Sequence, residues 1–320
     1  MQAVIKCIGP ELDRFRNYFD EAFRSHTPLL DRILVFMAKR RGKQLRPMFV
    51  LLCARLGGPI NEKSFRSALF VEMLHTSSLV HDDVVDEANE RRGFFSVSAL
   101  WKNKAAVLTG DNIFTKSVLM LLLHEDYRSL KIFSDSIGKI VEGELLQMDR
   151  SRKLNRTEDV YFDIIKGKTA MLLASACAAG AASTFIDDTL IEKLYLFGEK
   201  LGIAFQIRDD LLDFTREGIG KPTGNDIQEK KLTLPLIYTL NHCEASVRKK
   251  IIRIIKRHSR DKQKIAWLGE EVKKHGGIAY AEEKMLLFRD DALKLLYEFP
   301  DSEARSALEE LVRYTTDRLY

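Results

Sequence analysis

Residues 61–86 read NEKSFRSALFVEMLHTSSLVHDDVVD and contain neither glycine nor proline. Apolar residues recur through this segment at the three- and four-residue spacing of an α-helix. Asn61 has a side chain suited to capping the first turn. We therefore predict one long, mostly buried helix here. Its apolar positions are Phe65, Leu69, Phe70, Met73, Leu74, Leu79 and Val80.

Similar helical patterns recur along the chain, separated by short polar or glycine-containing joints. They cover residues 105–123, 132–148, 157–182 and 187–213. No β-α-β alternation interrupts them, and no change of composition marks a domain boundary. We predict an all-α helix bundle in which residues 1–320 form a single domain. Residues 88–93 and 216–224 are predicted loops, each closely following an acidic cluster.

The composition is that of a globular protein, which we expect to be soluble and cytoplasmic. Of the 320 residues, 45% are hydrophobic, enough for a sizeable core. The four cysteines show no C-x-x-C pairing, which favours reduced thiols over a zinc site or a disulfide framework. We find no signal peptide pattern and expect no bilayer-spanning stretch. The net charge of +5 suits either polyanionic substrates or nucleic acid.

Two clusters have the form D-D-x-x-D: His81-Asp-Asp-Val-Val-Asp86 and Arg208-Asp-Asp-Leu-Leu-Asp213. On a helix the first and last carboxylates lie about one 5.4 Å turn apart on one face, where like charges repel. Apolar neighbours make a solvated face a poor explanation, although it would suffice for a single copy. Magnesium binds through one or two carboxylates and completes its shell with water and phosphate oxygens. The two clusters therefore predict metal ions that bridge the protein to a diphosphate.

Cations stand near both clusters and at a third place. Gly42-Lys43-Gln44-Leu45-Arg46-Pro47 puts two cations beside a glycine and ahead of a helix, an arrangement suited to a phosphate. Any one of these cations alone would be an ordinary surface residue. The others are Arg91 and Arg92 after the first cluster, Lys221 and Lys231 after the second, and Lys168 in Lys166-Gly-Lys-Thr169.

Taken together, these segments resemble the trans-prenyltransferase family, the polyprenyl diphosphate synthases, over residues 41–235. The matching segments are Gly42 to Pro47, His75 to Asp86 with Arg91-Arg92-Gly93, Gly110-Asp111, Glu142-Gly-Glu144, Lys168-Thr169, Phe205-Gln206 through Asp213, and Gly220-Lys221-Pro222 with Lys231 to Pro235. Two departures stand out. The family often has Gly-Gly-Lys-Arg where this chain has Arg41-Gly42-Lys43-Gln44, and often glycine where it has Lys230.

The resemblance implies the isoprenoid synthase fold, a single-domain bundle of antiparallel helices around a deep central cavity, usually as a homodimer. It also implies about three magnesium ions per active site. The implied magnesium ligands are Asp82, Asp86 and Asp209, with Asp83, Asp210 and Asp213 as supporting catalytic groups. The allylic diphosphate would be bound by Arg91, Lys168, Lys221 and Lys231, with Thr169 and Gln206 beside the developing carbocation. Isopentenyl diphosphate would be bound by Lys43, Arg46, His75 and Arg92.

The implied reaction is the head-to-tail condensation of isopentenyl diphosphate with an allylic diphosphate, yielding an all-trans polyprenyl diphosphate suited to a quinone side chain. Three alternatives remain open. A short-chain synthase, making geranylgeranyl or farnesyl diphosphate, would share the same site. A terpene cyclase-like enzyme would not need Lys43 and Arg46. A non-catalytic partner subunit would be expected to have lost some carboxylates, whereas all six remain.

Product length is predicted from the helix that carries the first cluster. If the diphosphate end lies at Asp82, the growing tail runs toward the helix N-terminus and meets Ser77 and Ser78 one turn away, with Leu74 deeper. Both serines are small, whereas a short-chain member of the family would place a bulky aromatic there. One helix turn accommodates about one isoprene unit, so we expect a product longer than ~4 units. Phe114, from another helix, is the alternative stop.

Two further segments have predicted roles. Residues 216–224, rich in glycine, are a candidate lid that keeps water from the carbocation. Residues 248–264 interleave cations with isoleucines and are predicted to form a solvated amphipathic helix, with membrane-surface contact during product release as the alternative. The absence of interleaved aromatic residues argues against nucleic acid as a partner.

Overall fold

The computed structural model describes residues 1–91, 93–151, 157–215, 227 and 231–317, apart from the side chains of residues 91, 146–151 and 215. The described chain is almost wholly helical, which confirms the all-α prediction. Its helices are α1 (Gln2–Ala22), α2 (Pro28–Ala38), α3 (Leu45–Gly57), α4 (Glu62–Val85), α5 (Val97–Leu123), α6 (Tyr127–Ser151), α7 (Glu158–Ile165), α8 (Met171–Ala182), α9 (Asp188–Thr215), α10 (Leu234–His242), α11 (Ala245–Arg257), α12 (Lys262–Lys274), α13 (Gly277–Tyr297) and α14 (Glu303–Thr316).

The helix predicted over residues 61–86 is confirmed as α4. Asn61 caps it: its side-chain oxygen accepts from the backbone N–H of Ser64 at 3.2 Å, and the Ser64 hydroxyl accepts from the Asn61 backbone N–H at 3.2 Å. This reciprocal pair satisfies two donors that the first turn would otherwise leave unpaired. Most of the apolar residues of α4 are buried, as their spacing predicts.

Two of the other predicted helices differ from the structure, one in where it begins and one in its continuity. The helix predicted from residue 105 begins at Val97, where the Ser96 hydroxyl accepts from the backbone N–H of Ala99. Lys102, at φ 72°, interrupts the helical backbone, so the two parts do not share one apolar pattern. The single helix predicted over residues 157–182 is divided by a π-helical turn, Lys166–Ala170, between α7 and α8.

The loop predicted at residues 88–93 is partly a β-hairpin. Strand β1 (Glu90–Arg91) pairs antiparallel with β2 (Phe94–Phe95), and Gly93 has φ +79°, a conformation that favours glycine at the turn. The predicted lid at 216–224 lies outside the described residues. The amphipathic segment 248–264 is not one helix, because α11 ends at Arg257 and α12 starts after Asp261, whose side chain caps it.

The chain divides into two compact units, each assembled from separated segments. Unit 1 comprises residues 1–134, 175–195 and 300–308, and unit 2 comprises residues 135–174, 196–299 and 309–320. In unit 1, α4 packs against α3 and α5, and the rings of Phe70 and Phe133 stack at 4.4 Å between centroids. In unit 2, the isoleucines of α11 join a core with α7, α9, α10, α12 and α13. The single-domain assignment stays a prediction.

In the part of the chain that the structure describes, two helical stretches are long and apolar enough to span a membrane, contrary to the expectation from the sequence. They are Val97–Leu123, with mean hydropathy 1.4, and Glu158–Ala182, with mean hydropathy 1.2. Buried core helices can be equally long and apolar, and 72% of the most apolar 18-residue segment of the second stretch is buried. In the first stretch only 33% of the corresponding segment is buried, so α5 exposes apolar side chains. Its exposed residues include Leu108, Leu119, Leu122 and Leu123.

Candidate active site

The first aspartate cluster lies at the C-terminus of α4. Asp83 is buried with 5% of its surface exposed, whereas Asp82 is half-buried and Asp86, the C-cap, is exposed. Val85 beside them is 65% exposed, so the apolar surroundings predicted for this cluster are incomplete on that side. The three carboxylates therefore differ in environment, and Asp82 and Asp86 are the two that solvent or a ligand can reach.

His81, directly before the cluster, packs against α5. Its Nε2 lies 3.2 Å from the carboxylate of Asp111, and its ring rests on Gly110. A Cβ atom at Gly110 would lie far inside van der Waals contact with the imidazole. Gly110-Asp111 matches the family pattern in the sequence, but no role was predicted for either residue. The structure supplies one: this glycine makes room for the histidine that precedes Asp82.

Gly110→Ala should therefore displace His81 and disturb the neighbouring aspartates. We expect a loss of about 1–3 kcal/mol in the free energy of unfolding, as for other overpacked sites, together with reduced turnover. Thermal unfolding and steady-state kinetics measure the two effects.

Gly138→Ala is the matched control, because a Cβ at this helical glycine of α6 meets no atom within 4 Å. Replacing glycine in an open helix position is expected to stabilise by roughly 0.5–1 kcal/mol. Equal effects of the two substitutions would show that the His81 contact is unimportant.

A cavity of about 340 Å³ in unit 1 contains part of the predicted isopentenyl diphosphate site. His75, Gly42 and Asp83 line it, together with Arg40 and Phe94. Lys43 is exposed and Arg46 is half-buried; neither lines this cavity, and Arg92 lies outside the described residues.

Sequence reasoning missed Arg40. Its guanidinium lies 3.6 Å from the ring centroid of Phe36 and 4.9 Å from that of Phe94, and it donates to the Phe36 carbonyl at 3.0 Å.

The second aspartate cluster lies near the C-terminus of α9, in unit 2. Asp209 is exposed, Asp213 is half-buried and Asp210 is almost fully buried, at 1% exposure. Asp210 accepts from the Tyr161 hydroxyl at 2.7 Å and from the Gln206 amide at 2.9 Å, and lies 3.6 Å from Lys231 Nζ. The buried carboxylate is thus paired, as a charge in this environment must be.

Four predicted substrate-binding residues meet in a small cavity next to Asp210. Lys168, Thr169, Gln206 and Lys231 line this space of about 40 Å³, together with Tyr161. Thr169 donates to the Gln206 carbonyl oxygen at 2.7 Å, and the Gln206 amide nitrogen in turn donates to Asp210. These hydrogen bonds fix the orientation of both side chains. Lys221 lies outside the described residues, and Tyr161 was missed because a lone tyrosine in a helix carries no functional signal.

The π-helical turn places Lys168 and Thr169 where α6 comes close. Gly143 of α6 and Gly167 of the turn lie back to back, so a Cβ on either would be only 3.2–3.3 Å from the other backbone. Lys168 Nζ lies 2.7 Å from Glu144. Single π-helical turns are frequent at functional sites. The family segments Glu142-Gly-Glu144 and Lys168-Thr169 are therefore neighbours in space.

The predicted chain-length residues differ in their surroundings. Ser77 is buried at 3% exposure, and its hydroxyl donates to the Gly110 carbonyl of α5 at 3.0 Å. Ser78 is half-buried and donates to the carbonyl of His75 in its own helix. Leu74 is buried. Of the two serines, Ser78 is the one whose side chain is not committed to the α4–α5 contact.

The carboxylates fit magnesium better than a metal that needs a closed cage. Among the residues that the structure describes, no three His, Cys, Asp or Glu side chains gather closely enough to hold an ion by themselves. Magnesium is commonly bound by one or two carboxylates, with water and substrate oxygens as its other ligands. Asp82 and Asp86 on one helix, and the exposed Asp209, provide ligands of this kind.

Comparison with solved structures defines the class first. The chain superposes on a decaprenyl diphosphate synthase from Rhodobacter capsulatus with a TM-score of 0.93 and 33% identity, covering 99% of this chain and 98% of that one. It superposes on a polyprenyl synthase from Caulobacter crescentus, complexed with calcium and isoprenyl diphosphate, with a TM-score of 0.92 and 30% identity, covering 100% and 98%. The fold is that of the isoprenoid synthases, and the chain is a prenyltransferase.

Sequence comparison gives the particular family. A family model described as polyprenyl synthetase matches residues 27–272, and the chain belongs to this family. A relative, the heptaprenyl diphosphate synthase component 2 of Geobacillus stearothermophilus, is 31% identical over 322 residues, covering 100% of this chain and 99% of the relative.

Proposed function

We propose that this protein condenses isopentenyl diphosphate head to tail with an allylic diphosphate and repeats the step to give a long all-trans polyprenyl diphosphate. The cavity in which Asp210 orders Gln206, Thr169 and Lys231 carries the proposal. Lys168 and Lys231 provide two cations for a diphosphate, and the side chains of Thr169 and Gln206 provide two oriented dipoles for a carbocation. Ionisation of an allylic diphosphate requires both kinds of group. Use of the product for a quinone side chain is part of the proposal.

The residues would act mainly by stabilising charge that develops in the transition state. Lys168 and Lys231 would hold the departing diphosphate. The Thr169 hydroxyl donates its hydrogen bond to Gln206, so the lone pairs of its oxygen can face the positive allylic carbon. Magnesium, held by Asp82, Asp86 and Asp209, would supply further neutralisation of the leaving diphosphate. Arg91 and Lys221 for the allylic diphosphate, and Lys43, Arg46, His75 and Arg92 for isopentenyl diphosphate, complete the proposed set.

Incubation with farnesyl diphosphate and labelled isopentenyl diphosphate tests the reaction directly. Chromatography should reveal a ladder of products that ends at one length and disappears when magnesium is removed by a chelator. Incorporation that is equal with and without the metal would contradict the metal-assisted reaction. A single short product would favour the short-chain alternative, and a cyclic hydrocarbon the cyclase alternative.

Ser78→Phe should shorten the final product by one or more isoprene units, because the aromatic ring would occupy the turn beside Asp82 that the tail must pass. Ser78→Ala removes the same hydroxyl without adding bulk and should leave the product length unchanged. Mass spectrometry of the products measures both. Ser77→Phe is a poorer test, since Ser77 is buried against α5 and the larger side chain would also destabilise the fold. Unchanged length in Ser78→Phe would place the tail elsewhere.

The exposed leucines of α5 support assembly into a homodimer. Exposed apolar side chains of this kind on one helix are expected to be covered by another subunit, and a second copy of the chain is the proposed partner. The relative from Geobacillus is a component 2, which favours a heteromer as the second candidate. Light scattering decides between a dimer and a monomer in solution. A chain that is active by itself would exclude an obligate second component.

We further propose that the enzyme is cytoplasmic and touches a membrane through the basic face of α11. Ile251, Ile254 and Ile255 of this helix are buried in unit 2, so the helix has no apolar face to insert. Its exposed cations, including Arg253 and Lys256, would instead contact anionic lipid headgroups electrostatically. Sedimentation with phosphatidylglycerol vesicles, but not phosphatidylcholine vesicles, should occur at low salt. Equal amounts of protein sedimenting with both kinds of vesicle would refute this contact.

A further inference from the structure

Gln44 has two unfavourable features at the start of α3. It is the N-cap residue, and its carbonyl accepts from the backbone N–H of Met48 at 3.3 Å. Its backbone is left-handed, with φ 54° and ψ 41°, a region that residues other than glycine rarely adopt. Its side chain makes no capping hydrogen bond. Gln44 is only 9% exposed, and its amide Nε2 is buried without a hydrogen-bond partner.

Both features cost folding free energy. A buried amide donor is normally satisfied, and an exception points to strain, to a functional role or to a bound water, ion or ligand. Left-handed glutamines are also uncommon, and backbone strain of this kind concentrates at ligand sites. Because the side chain is short, Nε2 must lie within about 5 Å of its own Cα, hence beside the first turn of α3.

Cations flank the start of α3, whose first turn has no acidic residue. The helix dipole makes the N-terminus positive, which favours carboxylates and disfavours cations there. Yet the first turn of α3 holds no acidic residue, while Lys43 precedes it and Arg46 lies within it. Arg41, the next cation upstream, is paired with Asp20 of α1 at 2.6 Å. A helix N-terminus with cations beside it is suited to a bound anion.

We propose that Gln44 is a substrate-binding residue whose Nε2–H donates to a diphosphate oxygen of isopentenyl diphosphate bound at the N-terminus of α3, alongside Lys43 and Arg46. This inference rests on the proposed function, because it takes the substrate from it. The unsatisfied donor of the free enzyme becomes satisfied in the complex, and the left-handed backbone keeps the amide buried at the helix start. Glutamine thereby supplies a hydrogen-bond donor at a position where other members of the family often have arginine.

Gln44→Gly removes the amide while relieving the backbone strain, so loss of binding cannot be attributed to a weakened fold. We expect an unchanged or higher unfolding temperature, a kcat within about twofold of the parent, and a KM for isopentenyl diphosphate raised about tenfold, the value of a hydrogen bond to a charged group. The KM for the allylic diphosphate should not change. Gln44→Asn keeps an amide and tolerates the left-handed region, and should restore part of the affinity.

Glu125→Gly is the matched control, because Glu125 is an exposed non-glycine residue with a similar φ of 57°. It should relieve comparable strain and leave both KM values unchanged. A KM for isopentenyl diphosphate that rises equally in both glycine variants, or in neither, would overturn the role of Gln44.

Calorimetric titration with isopentenyl diphosphate and with inorganic pyrophosphate separates this inference from the proposed function. Weaker binding of both by Gln44→Gly than by the parent supports the inference even if no product ladder forms. Equal binding by parent and variant refutes it while the reaction stands. A parent protein that binds neither compound removes the reaction and the role of Gln44 together.

Discussion

Asp209→Asn will lower turnover by about a thousandfold or more, equivalent to ~4 kcal/mol of transition-state stabilisation. The substitution keeps the size of the side chain and removes its charge, so the proposed magnesium ligand is lost at a position that is exposed and of little importance to packing. The unfolding temperature should therefore stay within a few degrees of the parent. Single-turnover rates at saturating magnesium measure the effect on chemistry.

Glu192→Gln provides the control for Asp209→Asn. Glu192 is an exposed carboxylate on the same helix, α9, far along it from the cluster, and loses its charge in the same isosteric way. It should retain full activity. A parent-like rate in Asp209→Asn at saturating magnesium would remove this residue from the metal site.

Asp210→Ala will differ from Asp209→Asn in its effect on stability, because a large loss of stability will accompany the loss of activity. The carboxylate is 1% exposed and receives hydrogen bonds from Tyr161 and Gln206 beside Lys231. Its removal leaves buried donors without an acceptor, which costs about 3 kcal/mol or more. Chemical denaturation measures this loss. Activity falls as well, because Gln206 and Thr169 are no longer held in one orientation.

Tyr161→Phe separates the contributions within this network. It removes one hydrogen bond to Asp210 and leaves the charge paired, so we expect a loss of about 1–2 kcal/mol in the free energy of unfolding. Activity should decline less than in Asp210→Ala. If Asp210→Ala were as stable as the parent but inactive, Asp210 would act on substrate or metal directly and its structural role would be refuted.

The two aspartates are adjacent in sequence and equivalent in the D-D-x-x-D pattern, yet they are expected to behave differently. A helical period places consecutive residues about 100° apart, so one faces outward and the next inward. Which of them faces the core depends on how α9 packs against α7, and this is not encoded in the motif. The same reasoning applies to Asp82 and Asp83 on α4, of which only Asp83 is buried.

Local sequence was sufficient for the features that depend on neighbours along the chain. The periodicity of residues 61–86, the cap at Asn61 and the i, i+4 spacing of the carboxylates all follow from helix geometry, and the motifs were specific enough for the family. The π-helical turn at Lys166–Ala170 and the hairpin at residues 90–95 were not predicted from the sequence. The turn packs against α6 at Gly143, a contact that periodicity along the chain does not show.

Contacts between helices were settled only by the folded chain. Ser77 and Ser78 look interchangeable in sequence, but Ser77 is bonded to the backbone of α5 and Ser78 is not. Likewise, only packing reveals that Gly110 accommodates His81 and that Asp210 gathers Tyr161, Gln206 and Lys231. The reason is physical: the helical repeat orients each side chain around its own axis, whereas the partner it meets depends on which helices pack together and in what register.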